Sequence, residues 1–313
     1  MARLIARRLL ISVVLVLVVS LLTFLLESAA PGDTARTILG NNYSPAAYQL
    51  LHRQLGLDQP VLVQYGHWLA RAVHGDLGTS PISGLAVGTE IANRLPVTLS
   101  LVICATAASV LLGVGLGVLS AVRGRRLGRL VDVLSLAGYA VPNFWLALAL
   151  VSLFAVTIRL LPATGYVPLT VSGAGWATSL VLPVATLALP GIAVFAKQTR
   201  DAMRDALARD FVGVLRANGA AESSIVFRHA LRNAAVPVVT LVGLTFVNLL
   251  SGTVFVEAVF AMPGLGGLAV AATSEHDIPM IQGVVVVFTL VVVVVNLAVD
   301  LVYGWLDPKV RVQ

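Results

Sequence analysis

The residues able to do chemistry in this 313-residue chain are few, and their spacing excludes most reactions. Its two lysines are Lys197, followed by Gln198, and Lys309, followed by Val310, so a G-x-x-x-x-G-K-[ST] phosphate loop has no place to occur. Neither H-E-x-x-H nor G-x-S-x-G is found, which removes the zinc-protease and nucleophile-elbow signatures. The single cysteine, Cys104, sits in an apolar run and reads as a small buried hydrophobe; no disulfide or cysteine-based metal site can form within the chain. His52, His67, His74 and His276 are scattered without ligand spacing, so no metal site is expected. Asp132, Glu257 and Asp300 each fall near the end of an apolar run and make no acid–base pair. The chain is not expected to be an enzyme.

What must position its polar groups is set by the bulk composition. Hydrophobic residues make up 58% of the chain, charged residues 12%, and the mean hydropathy is +0.92. Soluble domains carry about 25% charged residues, so half of the usual polar cover is missing. Roughly 20 apolar residues cross a hydrocarbon core about 30 Å thick. Six spans are predicted at 9–26, 97–122, 131–158, 178–196, 237–259 and 281–303. The first, with 18 residues, exceeds a signal-peptide core of about 7–15 and is read as retained. Pro142 interrupts the third span, and Pro183 and Pro190 predict a kinked or broken fourth. Gly113, Gly115 and Gly117 would let a neighbouring helix approach the second closely.

Orientation follows from the short-loop cations. Sixteen of the 21 Lys and Arg fall in the N-terminus, at 123–129, at 197–235 or in the tail, and four of the rest lie in one long lobe. Long loops count little, so the bias predicts both termini inside and the lobe outside. The net charge of +6 is therefore a topological feature, and no nucleic-acid partner is expected. The predicted organisation is a cytoplasmic N-terminus and first span at 1–27, and an external lobe at 28–95. A transmembrane domain at 96–303 carries an internal loop at 197–236, and a cytoplasmic tail occupies 304–313.

That loop is the informative stretch. The pattern predicts a helix over 199–217, supported by Asp205 and Arg209 at i,i+4, then a stop at Asn218-Gly219 and a second helix over 221–236. Small residues at Ala217, Gly219, Ala220 and Ala221 leave a low-profile turn able to enter a groove on another protein, and Arg228, His229 and Arg232 follow on neighbouring turns. About 39 residues is long for a connection without a task.

Ala217-Asn-Gly-Ala-Ala-Glu222 and Arg228-His-Ala-Leu-Arg-Asn-Ala-Ala-Val-Pro237 resemble the ATPase-docking loop of ABC importer permeases of the dipeptide/oligopeptide/nickel group. The resemblance runs along nearly the whole chain. It includes Pro31-Gly-Asp33, Gly75-Asp-Leu-Gly78, Val141-Pro-Asn-Phe-Trp145, Leu187-Ala-Leu-Pro-Gly191, Pro263-Gly-Leu-Gly266 and Leu306-Asp-Pro-Lys309. The large external lobe after the first span is similar to the B-type peptide permease. The family usually has Lys where Asn218 stands and small residues where Val214 and Leu215 stand.

The resemblance implies an all-α permease of a bacterial inner membrane, with six transmembrane helices and both termini inside. It would work with a second homologous permease, two cytoplasmic ABC ATPases and an external substrate-binding protein. ATP and Mg would be bound by the ATPases, with no cofactor in this chain. Ala217, Asn218, Gly219, Ala220, Ala221, Glu222, Ser223, Ser224 and Arg228 would form the docking surface. For the substrate path the candidates are Asn143, Asn248 and Glu257, the last either attracting a peptide ammonium or bonding within the outer loops. Nickel or another small solute is the alternative cargo. A secondary transporter without ATPases is the alternative mechanism, though the intramembrane acids and internal symmetry it needs are not evident.

Overall fold

The computed structural model describes residues 2–123, 128, 129, 131–133, 135, 138 and 141–306, with side chains from Arg8 to Gly304. The regular structure among these residues is helical, apart from one isolated bridge between Thr79 and Ala86. It divides into two units, one comprising Met1–Pro96 and Pro263–Val294 and the other Val97–Met262 and Val295–Gln313. The expected tail at 304–313 lies almost wholly outside the described residues.

In the first unit, α1 spans Ala2–Ala29 and exposes Leu9, Leu10, Ile11, Val13 and Val14, the apolar surface of a lipid-facing helix. Short helices α2 (Thr34–Leu39), α3 (Pro45–Gln54) and α4 (Val61–Val73) follow. Their starts are legible chemistry. Asp33 caps α2 by accepting from the Ala35 and Arg36 amides, and Ser44 caps α3 with Pro45 at its first position. Tyr65 of α4 joins α1 through an edge contact to Phe24 and a 2.9 Å hydrogen bond with Ser20. The first ten residues of α5 (Val87–Val122) pack with α10 (Leu265–Glu275) and the start of α11 (Ile278–Leu306), burying Val87, Ile91, Leu265, Ile281 and Val284. Here Gln282 donates to the Ser20 carbonyl at 3.0 Å, and Asp277 holds Ser80.

The second unit is built on α5 from Val97 onward and on α7 (Gly173–Leu207). Between them, the described residues among 128–138 are helical. Val141 and Pro142 are not, and α6 (Asn143–Leu150) continues as a wider π-type turn over Val151–Thr157. Pro142 has no N–H and holds its own φ at −62° with an extended ψ of 139°, so the third predicted span is divided there. Among the described residues, five helices are long and apolar enough to cross a membrane, while 143–157 is shorter.

The fourth span departs from expectation in the opposite sense. Pro183 and Pro190 lie inside an unbroken α7 that extends eleven residues past 196. Neighbouring hydroxyls support the helix near Pro190: Ser109 donates to the Ala188 carbonyl at 3.2 Å and Ser135 to that of Ala193 at 2.8 Å. The fifth span and the second loop helix are likewise one continuous helical path. It runs from Glu222 through a π-type turn at Ile225–Ala230 into α9 (Leu231–Val259), with Pro237 inside it.

Gly113 and Gly117 allow α5 and α7 to touch. A Cβ on Gly113 would stand 2.5 Å from the Phe195 Cβ and 2.9 Å from the Ile192 carbonyl oxygen; one on Gly117 would meet the Thr199 Cβ at 2.5 Å. Gly115 faces open space. Gly113→Ala and Gly117→Ala are each expected to destabilise the solubilised protein by about 1–3 kcal/mol through overpacking, whereas Gly115→Ala leaves it unchanged or firmer. Thermal unfolding of the three variants side by side checks this, and equal midpoints would refute the close approach.

Candidate functional site

The stretch expected to dock a partner is shaped by two helix ends. α7 closes at Ala208, and Arg209 adopts an extended conformation with φ −74° and ψ 151°. The predicted helix over 199–217 is therefore two helices, and Asp205 and Arg209 do not share a helical face. α8 (Asp210–Ala217) restarts immediately, with the acidic Asp210 at its positive N-terminal end. It stops where the sequence placed the stop. The Gly219 amide donates to Arg216 O and the Ala220 amide to Leu215 O, both at 3.0 Å, while Gly219 takes φ +78°. This is a Schellman cap with glycine in the left-handed position.

The turn is closed by charge as well. Arg216 Nε donates to Glu222 Oε1 at 2.6 Å and Nη2 to Oε2 at 3.3 Å, a two-point ion pair across the glycine. Both side chains are exposed, so the pair orders the turn more than it stabilises the fold. Ala217, Asn218, Gly219, Ala221, Glu222, Ser223 and Arg228 are exposed, and Ala220 and Ser224 half-buried. Most of the nominated residues thus reach the surface, as do Val214 and Phe227.

Beneath that surface lies an apolar foot that periodicity alone did not reveal. Val226, Ala230 and Ala234 bury against Met203 and Ala206 of α7 and Val118 of α5. The turn stands on a packed base shared with two span helices.

The polar groups of the spans are dispersed. Asn143 opens α6 directly after Pro142, and its Nδ2 lies 3.2 Å from where a Cβ on Gly252 would stand, so it faces α9 closely. Asn248 is exposed on α9. Glu257 is buried in the last turn of α9 and accepts from Thr98 Oγ1 at 2.7 Å. That helix ends with Ala261 at φ +48° and the Met262 amide on the Glu257 carbonyl at 2.9 Å, a Schellman cap with alanine where glycine is usual. Asn296 lies beside Gly243 of α9. His52 and His276 line one cavity, and among the described residues no three His, Cys, Asp or Glu groups converge on a metal position.

Arg200 was missed by the sequence reading. It is buried on α7 and bonds Asp132, Asp201 and the Gly128 carbonyl. Opposite charges at the ends of two consecutive spans, Asp132 and Arg200, were the available signal.

Comparison with known proteins follows this geometry. Residues 113–312 match the family described as binding-protein-dependent transport system inner membrane component, and residues 1–102 match the N-terminal model of such membrane components. A putative peptide transport system permease of Brucella abortus (strain 2308) is 41% identical over 99% of both chains. A probable peptide ABC transporter permease of Sinorhizobium fredii is 37% identical over 98% of both. The glutathione transport system permease GsiC of Escherichia coli (strain K12) is 39% identical over 94% of both. Among solved structures, a chain of the inward-facing MetNI methionine ABC transporter shares the fold with TM-score 0.54 and 18% identity, over 69% of this chain and 96% of that one.

Gly219→Val tests the turn. A β-branched residue at this φ costs about 1–2 kcal/mol, so exchange of the Gly219-turn amides, Ala220 foremost, is expected to rise roughly five- to thirty-fold. Hydrogen exchange read against the unaffected core of α7 checks this, and unchanged protection at Ala220 would exclude the cap.

Proposed function

Because the chain belongs to the family of binding-protein-dependent transport system inner membrane components, we propose that it is the permease subunit of an ATP-driven ABC importer for di- or oligopeptides. It is a multi-pass inner-membrane protein, and as a transport permease it moves solute without itself being the ATPase. The observation that carries the docking assignment is the exposed, capped turn at 217–224 standing on a buried apolar foot.

The proposed topology is six spans with both termini in the cytoplasm, the divided helix pair around Pro142 forming the third, and the 28–95 lobe outside. The sixteen inward-counted cations support this orientation. In it the 217–224 turn faces the cytoplasm, where two ATPase subunits would bind ATP and Mg. A second homologous permease would complete the path, and an external binding protein would deliver cargo. The relatives named as peptide and glutathione permeases support a peptide cargo.

Coupling in this reading is a population shift. ATP must favour one permease conformation over the other, and inverting a 1:99 distribution takes about 5.5 kcal/mol of differential binding. A turn that is rigid at its cap and anchored at its foot can pass such a bias on; a flexible loop would dissipate it. Asn143, Asn248 and Glu257 are the proposed contacts along the path. Glu257 is buried, so substrate reaches it only after the packing around it opens.

Reconstitution with the partner permease, ATPases and binding protein tests the assignment. Gly219→Glu, or deletion of 217–224, is expected to abolish stimulation of hydrolysis by the loaded binding protein and to reduce peptide uptake at least tenfold. Unchanged ATP turnover would sink the docking assignment. Uptake of nickel in place of labelled di- and oligopeptides would sink the cargo.

A further inference from the structure

We propose that Arg200 is a positioning residue for transport: it fastens the start of the third span to α7, so that displacement of the docking turn reaches the segment leading to Pro142. The inference rests on the reading of 217–224 as the ATPase-docking turn.

The geometry is a two-point grip. Arg200 is 4% exposed, its Nη1 donates to the Gly128 carbonyl, and its Nη2 reaches Asp132 Oδ1 at 2.6 Å. Gly128 and Asp132 are four residues apart, one helical turn, so a planar guanidinium that holds both fixes the rotation of that segment as well as its distance. Asp201 Oδ1 accepts from Nε at 3.2 Å and Nη2 at 3.1 Å, which aims the fork. Lys197 lies 3.6 Å from Asp132 and 3.0 Å from Asp201, so two cations and two carboxylates close a ring at this point of α7.

The same helix carries the foot of the docking turn. Met203 and Ala206, three and six residues beyond Arg200, bury against Val226, Ala230 and Ala234. One face of α7 thus receives the docking arm, and Arg200 passes its movement to Gly128 and Asp132. A second tie lies further along: Ser135 donates to the Ala193 carbonyl at 2.8 Å. From there the chain reaches Pro142 and Asn143, which faces Gly252 of α9.

Stability alone is a weak reason for this device. Arg200 is buried but its carboxylate partners Asp132 and Asp201 are largely exposed, and ion pairs with exposed partners contribute little. A directional, rotation-fixing link is what an apolar contact in its place would not supply.

The test measures uptake and hydrolysis together in the reconstituted complex, expressed as peptide transported per ATP. In Asp132→Asn, which removes the ionic partner on the third span but keeps the shape, the ratio is expected to fall about tenfold while the ATPases remain bound. Asp132→Glu, which keeps the carboxylate, is expected to restore the ratio to within about threefold of wild type. Arg200→Lys keeps the charge but loses the fork and is expected to fall several-fold; it decides the matter if Asp132→Asn does not assemble. A purely structural role would reduce the amount of complex and leave the ratio per assembled complex intact, and that result overturns the proposal. If Gly219→Glu leaves hydrolysis unchanged, the docking reading fails on that result alone. If Gly219→Glu is inactive while Asp132→Asn and Arg200→Lys keep the wild-type ratio, only the Arg200 proposal fails.

Discussion

The contact of α5 with α7 is the interaction on which the second unit depends. Inside a bilayer, apolar side chains gain nothing by leaving lipid for protein, so helices associate through close fit and hydrogen bonds. Gly113 and Gly117, one turn apart, bring the α5 backbone against Phe195 and Thr199. Ser109 and Ser135 then donate to carbonyls on either side of Pro190. Pro190 lacks an N–H and would otherwise weaken α7 at mid-length. α7 stays unbroken through both prolines, and an unbroken α7 is what places Arg200, Met203 and Ala206 beyond the apolar stretch.

Charge follows the same logic of place. Asp132, Lys197, Arg200 and Asp201 gather at the end of the apolar part of α7, where a charge can be paired without lying at bilayer depth. Glu257 is buried near the end of α9 and is bonded by a hydroxyl of α5. Arg216 and Glu222 are exposed and pair across the turn. Burial thus differs sharply among three charged sites, and the energetic weight differs with it: a buried charge must keep its partner, while an exposed pair mainly selects a geometry.

Much of this was legible in the sequence because the signals are local. The apolar runs and the Asn218-Gly219 stop depend on neighbours in the chain. What was not legible depends on distant residues. The hydroxyl bonds that α7 receives on either side of Pro190 come from Ser109 and Ser135, which lie 79 and 58 residues from their acceptors. The split at Arg209 was hidden because 199–217 has continuous helical character, and an Asp205–Arg209 pair argued for one helix. The grip of Arg200 joins positions 68 residues apart, and only opposite charge at two span ends announced it. The burial of Glu257 has no local signal at all.

The unusual Asn218 can be placed within this frame. It is the C-cap of α8, with φ −84° and ψ 6°, a conformation open to most residue types. The left-handed position is Gly219, one residue on, and both capping bonds there come from backbone groups. The side chain of residue 218 is exposed and takes no part in closing the turn. Asn in place of the lysine usual in similar loops therefore removes a surface cation and leaves the backbone of the cap as it is. The positive charge available to a partner at this surface is then carried by Arg228, since the neighbouring Arg216 is neutralised by Glu222. In the proposed docking role, electrostatic steering by this turn would be weaker than a lysine would make it, and shape would carry more of the recognition.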